Sequence, residues 1–341
     1  MMETTMKRWI STLLCAAVCT MAGANAAEPE KKDVSLSVGS MILNYMPVPL
    51  TQSLGNFQKE GLNVKVENFQ AGGSKALQAL IAGSTDAVVG FYDHTIHIQA
   101  QGKDIVSVAL LNTTPGIVLA VRPDLDIKSG RDLKGKKIGI TAPGSSTDLF
   151  ARYYAIKNGL QVNDVSYIAV GSGAPGMVAL DRKEIDALVN FDPVASLLEK
   201  RRAAKFLVDT RTEAGSDAVF GGRYPTATLY VTRDFMTKNP ETVQRLVNAF
   251  IRTLKWIDAS PPEAIADKMP KEQQVGGREV FVDALRHSKP IFSKDGLMTD
   301  ADAKVALSVL SSYDEKIRNA KIDLGKTYTN RFVDQALKTL K

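Results

Sequence analysis

Strand-like and helix-like segments alternate along this 341-residue chain, and the alternation restarts once near its middle. At roughly 150 residues per domain, that pattern predicts an α/β protein of two lobes, each built on a mostly parallel sheet. Each half also carries a small-residue turn at a helix start. These turns are Phe69-Gln70-Ala71-Gly72-Gly73-Ser74 in the first half and Thr141-Ala142-Pro143-Gly144-Ser145-Ser146-Thr147 in the second. Free backbone N–H groups at a helix start grip small polar molecules. Two such turns facing each other predict a lobed protein that closes on a small solute.

The elements follow in order. Lys7-Arg8, an apolar run over 9–22 and the small-x-small site Ala24-Asn25-Ala26 predict a signal peptide over 1–26, and hence export. Past a polar start at 27–33, Val34, Leu36 and Val38 alternate with Ser35 and Ser37, the period of a strand ended by Gly39. A helix over 47–59 has Pro47 at its start and Gly61 as its stop. Val64 and Val66 mark a second strand. Ser74 then opens a helix carrying Leu77, Leu80 and Ile81, stopped by Gly83. The run 86–90 is a short buried strand ending in Phe91-Tyr92-Asp93-His94, and another helix continues to about residue 101. Strands follow at 105–111 and 117–121, and the link 112–116 suits a crossing between lobes.

The pattern then restarts. A turn at 132–135 precedes a strand at 137–141 and a helix over 147–158, stopped by Gly159. A strand at 165–170 leads through a turn at 171–176 into a helix. The strand 185–189 ends in Asn190-Phe191-Asp192-Pro193. After a strand at 206–208, Gly221-Gly222-Arg223-Tyr224-Pro225 is the second crossing, and a strand at 226–231 returns to the first lobe. Lobe 1 is thus 33–113 with 225–341, and lobe 2 is 114–224. From Arg233 onward the chain reads as helical. Val243, Leu246, Val247, Phe250, Leu254 and Ile257 share one helical face, and Pro261-Pro262 breaks that helix.

Composition narrows the function. Hydrophobic and charged contents of 44% and 23% are ordinary for a globular protein. The net charge of +6 falls by one when Glu3, Lys7 and Arg8 leave with the leader. The basic turns Lys134, Lys136, Lys137 and Lys200, Arg201, Arg202 read as solvated faces, which argues against nucleic acid. The mild positive balance suits an anionic solute. Both cysteines, Cys15 and Cys19, lie in the leader, so the mature chain has no disulfide, thiol nucleophile or cysteine metal site. Leu14 and Val18 stand where a lipid-anchored cysteine requires a small residue, so a soluble product is expected.

Several motifs admit two readings. Ser74, Ser145, Ser146 and Thr147 cap helices on the plain reading and present hydroxyls to a ligand on the functional one. Gly171-Ser172-Gly173-Ala174-Pro175-Gly176 matches G-x-G-x-x-G. It sits mid-chain, however, Pro175 is unusual in such a turn, and Asp192 comes sooner than a ribose-binding acid, so a cleft-lining loop is the better reading. His94 and His97 share a helix face without an acidic cluster, and no metal is expected. Asp93 or His94 suits hydrogen bonding to a ligand instead. An Asp93 facing the cleft opposes a purely anionic ligand and favours an amine or zwitterion. Tyr45, Phe91, Tyr92 and Phe191 offer an aromatic lining, with Tyr45 and Tyr92 favoured for their polar ends. Asp148 and Asp192 suit capping or pairing. No Gly-x-Ser-x-Gly elbow or paired-carboxylate motif is present, so neither an enzyme nor a cofactor is expected.

An ordered set of motifs carries a family resemblance over most of the mature chain. The set runs through Ala71-Gly72-Gly73-Ser74, Leu80-Ile81-Ala82-Gly83-Ser84-Thr85-Asp86-Ala87 and Asp132-Leu133-Lys134-Gly135-Lys136-Lys137-Ile138-Gly139. It continues with Gly171-Ser172-Gly173, Glu184-Ile185-Asp186-Ala187 before Pro193, and Asn239-Pro240-Glu241 before a long helix. In this the chain resembles the periplasmic substrate-binding proteins of ABC importers, of the nitrate/sulfonate/taurine (NitT/TauT-like) type, a group that also includes thiamine-pyrimidine binders. The resemblance implies the two-lobed type II fold with two crossings, closure on a ligand in the cleft, and delivery to the permease subunits of an ABC transporter by a monomer. It implies ligand contacts from Asn44, Tyr45, Gly72, Gly73, Ser74, Tyr92, Asp93, His94, Ser145, Ser146, Thr147, Gly171, Ser172, Asn190, Asp192 and Tyr224. The expected ligand is a small organic anion or zwitterion such as a sulfonate, taurine, nitrate or a carboxylate. A neutral pyrimidine or aromatic compound is the alternative, and an enzyme on the same fold is the rival class.

Overall fold

Among the described residues ten strands form two five-stranded sheets, and the chain passes between them twice. The computed structural model describes residues 27–70 and 72–340. The signal-peptide expectation over 1–26 lies outside the described residues. β1 (Asp33–Val38), β2 (Asn63–Asn68), β3 (Ala87–Phe91) and β4 (Ile105–Leu110) belong to the first sheet. β5 (Val118–Val121), β6 (Lys137–Ile140), β7 (Ser166–Ala169), β8 (Ala187–Asn190) and β9 (Lys205–Asp209) make the second, and β10 (Ala227–Thr232) returns to the first. The orders are β2-β1-β3-β10-β4 and β7-β6-β8-β5-β9.

In each sheet three neighbouring strands are parallel. The fourth, β10 in one and β5 in the other, is antiparallel to both its neighbours. The reason is topological. Parallel strands need a helical crossover on the sheet's own face. β5 and β10 instead arrive from the other sheet and run the opposite way. The two passages are tied to each other: Thr226 N donates to Asn112 O at 3.1 Å, Thr226 Oγ1 to Thr114 O at 2.9 Å, and Gly116 N to Thr210 O at 3.1 Å.

The strands match their predicted positions within a residue or two. The helix expected over 47–59 is two helices, Pro47–Ser53 and Asn56–Lys59, because Gly55 between them takes φ +67°. The returning passage contains an unforeseen helix, Glu213–Phe220, whose Thr212 cap accepts from Gly215 N and whose end is Gly221 at φ +74°. Pro175 lies in the first turn of the helix Ala174–Asp181, where its missing N–H costs nothing, so it fits the turn after all.

The core is formed by the faces the periodicity marks. Val243, Leu246, Val247, Phe250, Leu254 and Ile257 of the helix Pro240–Ala259 are all buried. Phe250 meets Phe57 edge-to-face with ring centres 5.6 Å apart. The final helix, Arg331–Thr339, packs along the same long helix. The helical tail therefore buttresses the first sheet. Among the described residues no helix is long and apolar enough to cross a membrane.

Candidate functional site between the two sheets

The ends of β1, β3, β6 and β8 converge, and the two predicted turns meet there. A methyl group on Gly72 would lie 3.0 Å from Thr141 Oγ1 and 3.5 Å from Ala142 Cβ, so the first turn presses directly on the second. Phe91, at the end of β3, meets Phe191, just past β8, edge-to-face at 5.7 Å, and Tyr45 stands edge-on to Phe91 at 6.1 Å. Leu43 N donates to Asp192 O at 3.1 Å across the same junction.

At the centre Ser146 Oγ donates to Asp93 Oδ1 at 3.1 Å. Asp93 opens the helix Asp93–Gln99 of the first half, and Ser146 opens the helix Ser146–Lys157 of the second. Both are buried. They line a cavity of about 10 Å³ together with Phe91, Phe150, Tyr224 and Tyr313. That is roughly the space of one water molecule, so admission of an organic solute requires the two faces to part.

The electrostatics follow from burial. Removal from water pushes the Asp93 carboxyl up to about 7, against the lowering effect of the Ser146 hydroxyl and the His94 backbone N–H. Burial drives His94 down to about 3, so its imidazole is neutral. Burial, and then the charge of Asp93, hold the Tyr45 and Tyr224 phenols well above their ordinary value. No lysine or arginine is among the described residues lining the cavity. Its centre is a carboxyl bordered by neutral hydroxyls and aromatic rings.

Asp93, Ser146 and Tyr224 line the cavity itself; Tyr45 stands against its lining residue Phe91, His94 follows Asp93, Gly73 lies against His94 and Tyr45, and Gly72 lies against Thr141 of the second turn. The remaining expected contacts lie elsewhere. Tyr92 follows Phe91 on the strand's exit and so turns the opposite way, its hydroxyl bonded to Thr327 Oγ1 at 2.6 Å inside the first half. Asn44 fastens the first passage, donating from Nδ2 to Pro115 O at 2.6 Å. The Asp192 carboxylate accepts from Ser196 N and Ser196 Oγ at 2.8 Å, Ser288 Oγ at 2.6 Å and Arg211, the capping and pairing that the sequence also suggested for it. Asn190 Nδ2 donates to Gly173 O at 3.2 Å and so holds the next turn.

Ser145 and Thr147 form a buried triangle of hydroxyls with Thr141, with edges of 2.7–2.9 Å, and Thr147 Oγ1 also accepts from Thr141 N. These hydroxyls fix the turn rather than reach the cavity. Ser74 lines a separate groove with His97, Pro143 and Gly144, and Gly171 and Ser172 line another with Ser40, Asn68 and Gln70. Asp148 caps and pairs as expected, accepting from Gly144 N at 2.8 Å and Arg152 Nε at 2.7 Å. His97 Nδ1 faces Asp314 at 3.8 Å, and among the described residues no three metal-ligating side chains cluster.

Sequence reasoning missed Phe150, Phe220 and Tyr313. Phe220 stacks on Tyr224 at 4.4 Å and on Tyr153 at 5.5 Å, giving the second half an aromatic wall. Phe150 stands four residues past Ser146, on the same helix face, a spacing that points it at the same place. Tyr313 comes from the helical tail and gave no local signal.

Two facing mixed sheets, each with one reversed strand and joined by two passages, define the periplasmic-binding-protein fold. The alkanesulfonate-binding protein SsuA from Xanthomonas axonopodis pv. citri, bound to MOPS, is similar in fold: 19% identical, TM-score 0.71, covering 89% of this chain and all of that one. A solved structure from Bordetella bronchiseptica RB50 is 38% identical, with TM-score 0.89 over 92% of this chain and 99% of that one. The family profile described as NMT1/THI5 like matches residues 43–264, and this chain belongs to that family. Among characterised relatives, the 4-amino-5-hydroxymethyl-2-methylpyrimidine phosphate synthase of Aspergillus parasiticus is 26% identical over 311 residues, 86% of this chain and 84% of that protein.

Proposed function

We propose that this chain is an exported solute-binding protein that captures a small nitrogen-bearing solute between its two halves and delivers it to an ABC permease. The solute class is a zwitterion such as an amino sulfonate, or an aminated heterocycle such as a pyrimidine. The observation that carries this reading is Asp93, a buried carboxyl at the junction with no cationic partner among the described residues of the cavity wall. A cation or strong N–H donor entering there supplies the partner that the chain withholds. A bare anion such as nitrate would place like charge against Asp93. Of the solutes expected from sequence, the zwitterions and the pyrimidine alternative therefore suit the cavity, and the simple anions do not.

The mechanism is hinge closure. Contacts from Asp93 and Tyr45 on one half and from Ser146 and Tyr224 on the other favour the closed arrangement once the solute bridges them. The leader motif over 1–26 supports a periplasmic location for the processed, monomeric protein. A thermal-shift screen of the processed protein tests the reading, with taurine, 4-aminopyrimidine, methanesulfonate and nitrate as probes. A probe at 100 times its dissociation constant adds about 2.7 kcal/mol of stability. Stabilisation by an amine-bearing probe, lost in Asp93→Asn, supports the proposal. Stabilisation by nitrate or methanesulfonate alone overturns it.

The likeness to a pyrimidine-phosphate synthase favours a second reading, an enzyme acting on the same solute class. Incubation with the bound probe followed by mass spectrometry separates the two, since a binding protein returns the probe unchanged.

A further inference from the structure

His94 stands beside Asp93 with one ring nitrogen engaged and the other free. Nδ1 is 3.2 Å from the Tyr230 hydroxyl, and Nε2, buried, has no hydrogen-bond partner and lies 3.9 Å from Asp93 Oδ1. Tyr230 sits on β10 with none of its surface exposed, and His94 Nδ1 is its hydroxyl's sole hydrogen-bond partner among the described residues. If Nδ1 carried the proton, it would donate to the phenol oxygen and leave the phenol's own proton buried without an acceptor. If Nδ1 is bare, the phenol donates to it, and the imidazole's own proton is turned toward the Asp93 carboxyl, whose Oδ1 is 3.9 Å from the ring. The neutral imidazole must then carry its proton on Nε2.

The surroundings hold this pairing in place. Gly90 on β3 leaves room for the phenol: a methyl group there would lie 2.5 Å from the Tyr230 oxygen. Gly73 leaves room for the imidazole: a methyl group there would lie 2.8 Å from His94 Cε1 and 3.8 Å from the Tyr45 oxygen. The rings of His94 and Tyr230 meet edge-to-face at 6.2 Å.

We infer that Tyr230 is a positioning residue that fixes His94 as the Nε2–H tautomer, so that the junction offers an N–H donor next to the Asp93 carboxyl and selects a solute edge with a hydrogen-bond acceptor beside an N–H donor. Amides, amidines and heterocycles with an amino group next to a ring nitrogen carry such an edge. The ligand class rests on the binding reading above, whereas the tautomer does not.

Nitrogen-15 NMR of histidine-labelled protein reads the tautomer directly, since the chain has only three histidines and His94→Gln assigns the signal. The expected spectrum has a protonated Nε2 and a bare Nδ1 for His94. A protonated Nδ1 overturns the inference whatever the protein binds. In Tyr230→Phe the expected result is loss of the single-tautomer signature, together with roughly tenfold weaker binding of 4-aminopyrimidine. Binding of aniline, which lacks the adjacent acceptor, should change far less. Equal losses for the two probes overturn the selectivity. If Tyr230→Phe does not fold, the wild-type spectrum and the wild-type preference for 4-aminopyrimidine over aniline still decide each half. If no nitrogen-bearing probe binds, the binding reading fails while the tautomer stands or falls on its own signal.

Discussion

Ser146 donates its hydroxyl proton to the Asp93 carboxyl, joining the first turn of a second-half helix to the first turn of a first-half helix. The bond crosses the junction at which the proposed solute would enter. Opening the junction returns Asp93 to water, which relieves its desolvation, while closing it buries the carboxyl against one hydroxyl and one backbone N–H. The closed arrangement is thus held by packing and opposed by Asp93, a balance that a ligand with a positive or strongly donating group tips toward closure.

Removing the hydroxyl tests that balance. Ser146→Ala takes away a donor that lowers the Asp93 pKa, so this carboxyl should titrate above its present value of about 7. The loss of a buried hydrogen bond should destabilise the protein by about 1–2 kcal/mol. Carboxyl-observed NMR titration and urea denaturation measure the two effects. An unmoved Asp93 titration would show that the contact does not form in solution.

The pH dependence of stability separates Asp93 from His94. The folded pKa of Asp93, about 7, is above its reference value of 3.8, so the folded state holds the extra proton and stability falls as pH rises from about 4 to 7. The folded pKa of His94, about 3, is below its reference value of 6.5, so the unfolded state holds the extra proton and stability rises from about pH 3 to 6.5. The slopes oppose each other between about pH 4 and 6.5. Asp93→Asn should therefore steepen the rise of stability with pH, and His94→Gln should convert it toward a fall. At pH 8, Asp93→Asn should be the more stable protein by a few kcal/mol. Parallel profiles for all three proteins would reject both assignments.

The fold was legible because its signals are local. Alternation in 34–38, Gly stops after helices and the apolar face of Pro240–Ala259 each report on a few neighbouring residues. The turns at 69–74 and 141–147 were legible for the same reason. Side-chain direction was not. Phe91 and Tyr92 are adjacent, yet one faces the cavity and the other Thr327, and only the exit of β3 decides which. Ser145, Ser146 and Thr147 look alike in sequence. Only Ser146 reaches Asp93, because its neighbours are held by Thr141. Tyr230 and Tyr313 reach the junction from far along the chain, through pairing and packing that no window of sequence contains.

Gly39 illustrates a position where space, not backbone freedom, demands glycine. A methyl group there would lie 2.3 Å from the Gly72 carbonyl carbon and the Gly73 nitrogen, both main-chain atoms that cannot rotate away. Gly39→Ala should push the first turn off Thr141 and cost about 1–3 kcal/mol or more. Gly90→Ala should cost less, since the obstacle there is the Tyr230 side chain, its oxygen at 2.5 Å and ring carbons at 2.9 and 3.1 Å, rather than main chain. The order of the two melting temperatures checks this. A Gly39→Ala protein as stable as the parent would contradict the close approach of β1 to the turn.

Arg211 should govern stability without governing ligand choice. Its side chain is 5% exposed and meets three carboxylates: Asp209 at 2.6 Å, Glu199 at 3.3 Å and Asp192 at 3.4 Å. Asp192 in turn holds Ser196 in the first turn of the helix Val194–Lys200 and Ser288 in the tail. Arg211→Met leaves the buried Asp192 charge without its cation, and breaking such a pair costs about 3–5 kcal/mol. Lysine is a poor substitute, because a single ammonium cannot reproduce the guanidinium's spread of donors toward three acceptors. Adding Asp192→Asn to Arg211→Met should recover part of the loss, as the unpaired charge is then gone. Denaturation of the two single variants and the double variant gives the coupling directly. The rank order of solutes in the thermal-shift screen should stay that of the parent throughout. A change in that order would mean that Asp192 belongs to the ligand site after all.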